Sequence, residues 1–322
     1  MRRRGMALGT LALVLAMLAA TRPPASPLRF RVFAQTSLRL TDIVWTGRQF
    51  LYVDNTTNRV AVAGPSGSPL HPFAAMPRQV EETRCQVSPG MHGFAAGDLY
   101  CHAPDNTIYR IGAAGRQVTV FARLPHAPRS DGALAFDADG AFGYTLLVAT
   151  GRSGGSAAAG GAVYALDPGG HVRLIGRYPG PGGADEIAVA PRRFGSASRE
   201  VLLAVDAGRS GSLVAMDAQG RAHTLVRLPD RPNPIAVLVP GRTPPAGTAP
   251  PGLYVTDTLS RAVYSVSAAA LRPYAGAVVV GSELHARFWV VRPHGSGFVA
   301  SALVTTLRAP HYNLEGAVYL AG

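Results

Sequence analysis

Polar side chains, most of them carboxylates and amides, recur where short apolar segments begin along this chain. They are Asp42, Glu82, Asp131, Asp185, Glu186, Asn233 and His285, with Glu283 as the alternative to His285. Carboxylate and amide oxygens are the ligands that hard cations such as Ca²⁺ prefer, and carboxylates that converge on one point repel each other without a cation. The residue types therefore predict a binding site, with Ca²⁺ or another divalent cation as the candidate cofactor.

Motifs for covalent catalysis are weak in this sequence. Gly151–Gly155 matches the Gly-x-Ser-x-Gly pattern, but a strand follows it, whereas a nucleophile elbow requires a helix. Gly208–Ser212, which differs from Gly151–Gly155 only in its last residue, lies at the same position in the next unit, so a recurring turn explains both. The histidines show no metal-ligand spacing, and the absence of lysine excludes Schiff-base chemistry. The catalytic residues therefore stay unknown.

A pattern of roughly fifty residues repeats along the chain, and repeats of this length are typical of propellers and other arrays. Each unit contains apolar, β-branched and aromatic segments such as Phe50–Asp54, which predict strands. The prolines that end successive units are 48, 54 and 50 residues apart: Pro77, Pro125, Pro179 and Pro229. This period predicts five four-stranded units between residue 42 and about residue 281.

The two ends of the chain are expected to supply a sixth unit. Residues 287–291, 298–304 and 316–320 fit its first three strands, and Phe30–Phe33 near the N-terminus fits the fourth. Pairing the two ends would remove the open seam of a ring of sheets. The prediction is an all-β fold, a six-bladed β-propeller of four-stranded blades whose last blade is closed by the N-terminal strand.

The first 27 residues are typical of a secretory signal peptide. Arg2–Arg4 precede the apolar stretch Met6–Ala20, which is short for a bilayer span, and small residues follow it. An uncleaved anchor is the alternative. We therefore expect an extracellular or periplasmic protein with one propeller domain over residues 28–322.

Cys85 and Cys101 are the only cysteines of the chain. They lie on the first and second strands of the second unit, on either side of a turn near Gly93. In an exported protein, two cysteines so placed predict a disulfide rather than a metal site.

The chain is basic, with a formal net charge of +12. About +8 remains when the four arginines of the predicted signal peptide are removed. This charge favours an acidic cell-surface polymer or protein as partner. The arginines are scattered rather than clustered, so we expect no nucleic-acid binding. We also expect a monomer with no transmembrane segment in the mature chain.

Two segments, Tyr52–Val60 and Tyr254–Tyr264, resemble the NHL-repeat signature and are also similar to the six-bladed propellers of the senescence-marker-protein and gluconolactonase family. The resemblance implies a divalent metal held by Glu, Asn and Asp at the channel mouth. Asp131 is similar to the aspartate of the family's Asp-Gly segment, and Asn233 to its asparagine. With Glu186, these two are the metal ligands that the resemblance implies.

The sequence thus predicts a secreted propeller that binds a small molecule or a sugar at the mouth of its central channel. If the protein is an enzyme, the resemblance implies metal-dependent, lactonase-like hydrolysis. A non-enzymatic platform for a protein or glycan is the alternative. A quinone-dependent sugar oxidoreductase, which requires a catalytic histidine and convergent arginines, is a third possibility.

Overall fold

The computed structural model of the chain describes residues 27–78, 82–125, 132–151, 160–180, 182–239, 248–308 and 312–321. The expected signal peptide, apart from its last residue, lies outside the described residues, and so does Asp131. Within those ranges, no helix combines the length and the apolar character that crossing a bilayer requires.

In the described ranges, twenty-four strands form six separate four-stranded antiparallel sheets. One strand of each sheet lies innermost, and the six innermost strands contact one another in a closed ring around a central channel. The predicted all-β fold, a six-bladed β-propeller with four-stranded blades, is therefore confirmed.

Blades 1 to 4 are each built from four consecutive strands, which follow one another from the channel outwards. Blade 1 comprises β2 (Leu40–Trp45), β3 (Phe50–Asp54), β4 (Arg59–Ala63) and β5 (His71–Ala75). Blade 2 comprises β6 (Arg84–Val87), β7 (Leu99–His102), β8 (Thr107–Ile111) and β9 (Val118–Arg123). Blade 3 comprises β10 (Ala133–Phe136), β11 (Leu146–Thr150), β12 (Gly161–Leu166) and β13 (Val172–Tyr178). Blade 4 comprises β14 (Ala184–Val189), β15 (Val201–Asp206), β16 (Gly211–Met216) and β17 (Ala222–Leu228).

An aspartate turn joins the two outer strands of blade 3, and its residues explain a recurring sequence motif. Asp167 Oδ1 accepts hydrogen bonds from the backbone N–H groups of Gly169 and His171, at 2.9 and 3.0 Å. Gly170 has φ of 83°, and a Cβ there would lie 2.5 Å from a backbone oxygen of blade 2. Asp217 begins the same turn in blade 4. The Asp-x-x-Gly repeat thus marks hairpins packed against the preceding blade.

Blades 5 and 6 exchange strands. From the channel outwards, blade 5 comprises β18 (Pro232–Val237), β21 (Val278–Ser282), β22 (Phe288–His294) and β23 (Gly297–Ala302). Blade 6 comprises β24 (Leu314–Leu320), β19 (Gly252–Asp257), β20 (Ala262–Ser267) and β1 (Arg31–Gln35). After β18 the chain forms the two middle strands of blade 6, passes through a single helical turn, α1 (Ala268–Leu271), and returns to complete blade 5.

This exchange corrects the strand order that the sequence predicts for the last two blades. The N-terminal strand completes blade 6 as expected, but it pairs with β20, while the segment 316–320 forms the innermost strand at the opposite edge. The segments near 287–291 and 298–304 belong to blade 5. Neighbouring blades offer similar apolar faces, so a local strand pattern does not specify which of two blades a hairpin joins.

The core consists of apolar clusters between adjacent blades. The cluster between blades 1 and 2 contains Leu51 and Leu99, and that between blades 6 and 1 contains Phe50 and Tyr254. The ring closes where β24 meets β2. A Cβ added to Gly316 would lie 2.6 Å from Asp42 Cα, so glycine is required for the two strands to approach this closely.

Cys85 of β6 and Cys101 of β7 lie directly opposite each other and form the predicted disulfide. Both are fully buried between blades 1 and 2. The backbone N–H of Cys85 donates a hydrogen bond to Asp42 Oδ2 at 2.7 Å. The disulfide therefore fastens the innermost strand of blade 2 where that strand contacts blade 1.

Candidate functional site

Two cavities open at opposite ends of the channel. One is lined by residues where innermost strands begin, and we call this end the acidic mouth. The other is lined by residues where innermost strands finish, and we call it the apolar cup. The same strands therefore present different chemistry at their two ends.

Four of the six innermost strands carry a β-bulge near their beginning, where the pairing with the second strand shifts by one residue. The residues at these bulges are Thr41–Asp42, Asp185–Glu186, Asn233–Pro234 and Glu315–Gly316. A bulge interrupts the alternation of side chains between the faces of a sheet, so it can direct neighbouring polar residues towards the channel. The bulges thus supply polar groups in blades 1, 4, 5 and 6.

Between the two ends lies a charged ring of buried residues, each at most 6% exposed: Asp42, Arg84, Glu186, Asn233 and Glu315. Arg84 Nη2 donates to Glu315 Oε2 at 2.6 Å, and Asn233 Nδ2 donates to the same oxygen at 3.0 Å. These contacts make Arg84 the resident counter-ion of the channel centre.

The carboxylate of Asp42 is held by backbone groups. Its Oδ1 accepts the N–H of Ile43 at 2.8 Å, and its Oδ2 accepts the N–H of Cys85 at 2.7 Å. Arg84 Nη1 donates to the carbonyl oxygen of Thr41 on the same strand. Asp42 and Arg84 therefore join the innermost strands of blades 1 and 2.

The charged ring contains three carboxylates and one guanidinium. Burial raises the pKa of Glu186 to about 8, and the Asp42 carboxylate adds to that effect. Burial also raises the pKa of Glu315 to about 8, against the opposing effect of Arg84. The pKa of Asp42 is raised by burial as well. The ring is therefore short of positive charge and favours either protons or a cation.

The acidic mouth contains a cavity of about 20 Å³, lined by Glu82, Arg84, Asp185, Arg231, Asn233, Glu283 and Glu315. This volume suffices for a water molecule or a metal ion. Four carboxylates and two guanidinium groups face it, so negative charge is in excess. Two buried atoms of this lining, Asn233 Oδ1 and Arg84 Nε, have no hydrogen-bond partner among the described residues. Buried polar atoms are normally paired, so both can engage a ligand in the cavity.

Three carboxylates approach closely at this mouth. Oxygen atoms of Asp185, Asp206 and Glu283 all lie within 4.8 Å of one another. Arg231 Nη2 lies 2.8 Å from Asp206 Oδ2 and 2.8 Å from Glu283 Oε2. Burial alone would lower the pKa of Arg231, but Glu283, Asp206 and Asp185 together raise it. The donors are all oxygen atoms, which is the chemistry that Ca²⁺ and Mg²⁺ select.

His285 follows Glu283 by two residues in the chain and pairs with a buried acid. Its Nδ1 is 2.6 Å from Asp230 Oδ2, and the His285 side chain is 44% exposed while that of Asp230 is 2% exposed. A carboxylate at Nδ1 favours the tautomer that donates from Nδ1, so Nε2 becomes an acceptor. Nε2 makes no hydrogen bond within the described chain, so it can accept a proton from a water molecule.

No family model and no curated protein matches this chain. Solved structures do match it. A chain in the crystal structure of a nidogen–laminin complex aligns with a TM-score of 0.54 and 10% identity, over 89% of this chain and 87% of that one. A protein provisionally described as a gluconolactonase aligns with a TM-score of 0.50 and 12% identity, over 90% and 84% of the two chains. These two matches show the fold alone: this chain is a propeller similar in fold to both.

The residues that the sequence singles out reach three different places in this propeller. Glu82, Asp185 and Asn233 line the mouth cavity, whereas His285 is not in its lining and pairs with Asp230. Asp42 belongs to the charged ring. Glu186 belongs to the ring and also lines the apolar cup, not the mouth cavity. The expected metal set of Asp131, Glu186 and Asn233 stays a prediction, because Asp131 lies outside the described residues.

Several mouth residues escape sequence reasoning: Arg84, Asp206, Asp230, Arg231 and Glu315. Asp206 has the pattern of a turn residue and does cap a turn, with Oδ1 accepting the Gly208 N–H at 2.6 Å, but its Oδ2 pairs with Arg231. Glu315 lies at the beginning of an innermost strand, but the sequence pattern of that segment predicts a third strand, so the residue is not singled out. Arg231 lies two residues before Asn233 in the segment Asp-Arg-Pro-Asn-Pro. This nearness to a predicted site residue is the sequence feature that could have identified it.

Proposed function

We propose that this propeller binds a small molecule or a sugar at the acidic mouth through a divalent cation. The observation that carries the proposal is the convergence of Asp185, Asp206 and Glu283 beside the buried Asn233 Oδ1, which accepts no hydrogen bond from the described chain. Converging oxygen donors with surplus negative charge favour a hard cation, Ca²⁺ before the others.

The charges at the mouth leave room for both Arg231 and a cation. Two guanidinium groups balance only two of five carboxylates, the four that line the cavity and Asp206, which pairs with Arg231. A divalent cation would neutralise two of the remaining three, so Arg231 need not leave. Asp185, Asp206, Glu283 and Asn233 would hold the ion, in place of the expected set that includes Glu186.

We propose hydrolysis of a lactone or a related ester as the activity. When bound, the cation would polarise the carbonyl group as a Lewis acid. His285 Nε2 would take the proton of the attacking water, and Asp230 would stabilise the imidazolium that forms. The Glu82 side chain would orient a hydroxyl group of the ligand. Export to the periplasm or the exterior is part of this proposal, and the buried disulfide supports it.

Metal binding can be tested on the full mature chain. We expect calorimetry to show about one equivalent of Ca²⁺ bound to the wild type after treatment with a chelator. The double variant Asp185→Asn with Glu283→Gln should bind at least about tenfold more weakly, because two charge-bearing ligands are lost. Asp217→Asn, in an exposed hairpin turn, is the matched control and should bind as the wild type does. Failure of the wild type to bind any divalent cation would overturn the proposal.

Hydrolysis can be tested with a panel of sugar lactones and simple lactones. His285→Gln should lower kcat by about 10²- to 10⁴-fold and leave Ca²⁺ affinity unchanged, because the general base is lost while the oxygen ligands remain. His171→Gln is the control, since His171 makes the same kind of pair with Asp167, at 2.9 Å, on an exposed hairpin. Equal rates for both variants would exclude His285 as the base.

A second candidate function is a non-enzymatic platform for an acidic partner. A groove of about 550 Å³ near the cup is lined by Arg192, Arg193 and Arg292 together with Pro273 and Tyr274. Three arginines beside proline and tyrosine favour an acidic polypeptide or polymer. Binding of polyglutamate that weakens with salt, and that Arg193→Ala with Arg292→Ala abolishes, would support this function. Salt-independent binding would oppose it.

A quinone-dependent oxidoreductase is disfavoured by the charge of the described mouth. Such an anionic cofactor requires converging cations around it. The cavity instead presents more carboxylates than guanidinium groups. Dye reduction after reconstitution with a quinone cofactor would contradict this conclusion.

A further inference from the structure

The apolar cup, at the end of the channel opposite the acidic mouth, is a second cavity of about 450 Å³. Its wall contains half-buried apolar side chains from five innermost strands: Val87, Phe136, Val189, Val237 and Tyr319. Pockets of this size that are mostly apolar and have a few polar groups are typical of small-molecule sites. The cup is therefore a candidate site in its own right.

Glu186 is the one carboxylate of the charged ring that lines this cup. Glu315 is engaged by Arg84 and Asn233, and both oxygens of Asp42 accept backbone N–H groups. Glu186 is only 6% exposed, accepts a backbone N–H from Ile187, and has no side-chain hydrogen bond or ion pair within the described ranges. Arg84 favours its charged form without a direct ion pair, so Glu186 is the ring carboxylate that can pair directly with a cation from outside the chain.

The chemistry around Glu186 selects the kind of cation. Ca²⁺ and Mg²⁺ require about six or more oxygen ligands, whereas the cup offers this carboxylate and mostly apolar walls. An ammonium group needs fewer acceptors, and the apolar walls favour an organic body attached to it. Phe136 and Tyr319 also line the cup, and aromatic rings attract cations. At the rim, Asp139 and Arg192 pair with each other at 3.0 Å, so neither dominates the charge of the cup.

We propose that the apolar cup binds a small organic cation, a protonated amine on an aromatic or aliphatic body, with its ammonium group on Glu186. The ammonium group donates hydrogen bonds to the carboxylate, and the apolar body fills the space between the inner strands. This site lies on the opposite side of the charged ring from the acidic mouth and does not depend on the function proposed there.

Three probes of nearly equal shape test this site in the presence of a chelator: benzylamine, benzyl alcohol and benzoate. We expect calorimetry to show benzylamine binding at least about tenfold more tightly than the other two, because only the amine pairs with Glu186. Glu186→Gln should remove this preference and leave benzyl alcohol binding unchanged. Val237→Trp, which fills the cup without changing its charge, should weaken binding of both the amine and the alcohol.

Two outcomes would overturn the proposal. One is equal affinity of the wild type for the amine, the alcohol and the anion. The other is loss of amine binding in Asp185→Asn with Glu283→Gln while Glu186→Gln retains it, which would place the amine at the acidic mouth. Circular dichroism of each variant separates loss of binding from loss of folding, and Glu186→Gln keeps the shape of the side chain.

Discussion

The acidic mouth and the apolar cup are formed by the two ends of the same innermost strands, yet they differ in almost every property. The mouth cavity is small, about 20 Å³, and four carboxylates line it. The cup is larger, about 450 Å³, and mostly apolar. The bulges lie at the beginning of four of these strands and not at their ends. One extra residue per strand thus suffices to direct consecutive polar side chains towards the channel. At the other end of these strands, side chains alternate regularly between the two faces of the sheet.

The charged ring separates these two ends, and Arg84 is its only guanidinium. We expect Arg84→Met to lower the free energy of unfolding by about 3–5 kcal/mol, because buried carboxylates lose their counter-ion. Chemical denaturation in chelator measures this change. Arg221→Met, which breaks an exposed pair with Asp217, is the control and should cost less than about 1 kcal/mol. Similar losses in the two variants would mean that the ring does not depend on Arg84.

The disulfide offers a way to weaken the propeller without touching either end. Replacing both Cys85 and Cys101 by Ala should lower the free energy of unfolding by about 3 kcal/mol, since it removes a constraint on the unfolded chain. Ca²⁺ binding and benzylamine binding should persist while the variant is folded. If the variant no longer binds one of these two ligands, the end of the channel that binds that ligand depends on the fixed position of β6.

Calcium should distinguish the two ends by stability. At a hundredfold excess over its dissociation constant, Ca²⁺ should stabilise the wild type by about 2.7 kcal/mol. Glu186→Gln should show the same gain, because this residue lines the cup and not the mouth cavity. Asp185→Asn with Glu283→Gln should show none in thermal or chemical denaturation. If Glu186→Gln abolished the stabilisation by Ca²⁺, the mouth and the cup would act as one site.

The metal-free protein should also show a pH dependence of its stability. The folded chain keeps the protons of Glu186 and Glu315 up to a pKa of about 8, whereas the unfolded chain releases them near 4.5. The folded state therefore binds more protons between these values, and stability should fall as pH rises from about 5 to 8. Glu186→Gln should flatten the curve, as measured by melting temperature in chelator. A stability that rises over this range in both proteins would contradict the pKa directions.

Much of the fold follows from local patterns in the sequence. The strand segments, the four-stranded period and the Cys85–Cys101 pair depend on neighbours within one unit, and all three are found in the structure. The exchange between blades 5 and 6 was not predictable in this way. The segment Gly316–Leu320 resembles a third strand, but a strand's place in a sheet depends on which partner it meets.

The candidate site was predictable only in part, and the reason is the bulges. Strand beginnings pointed to Glu82, Asp185 and Asn233, and these three line the mouth cavity. Asp185 and Glu186 are adjacent in sequence, yet one lines the mouth cavity and the other lines the cup. A bulge depends on pairing between strands, so no spacing within one strand reveals it.

The sequence by itself determined a ring of small sheets, its internal disulfide and the presence of acids where strands begin, because alternation and turn residues act over a few neighbouring positions. The tertiary structure alone decided which charges meet. Arg84, Asp206, Arg231 and Glu315 are distant in sequence and come from four different blades or from the segments joining them. Their ion pairs form only because the ring closes and brings those strand beginnings together around one axis.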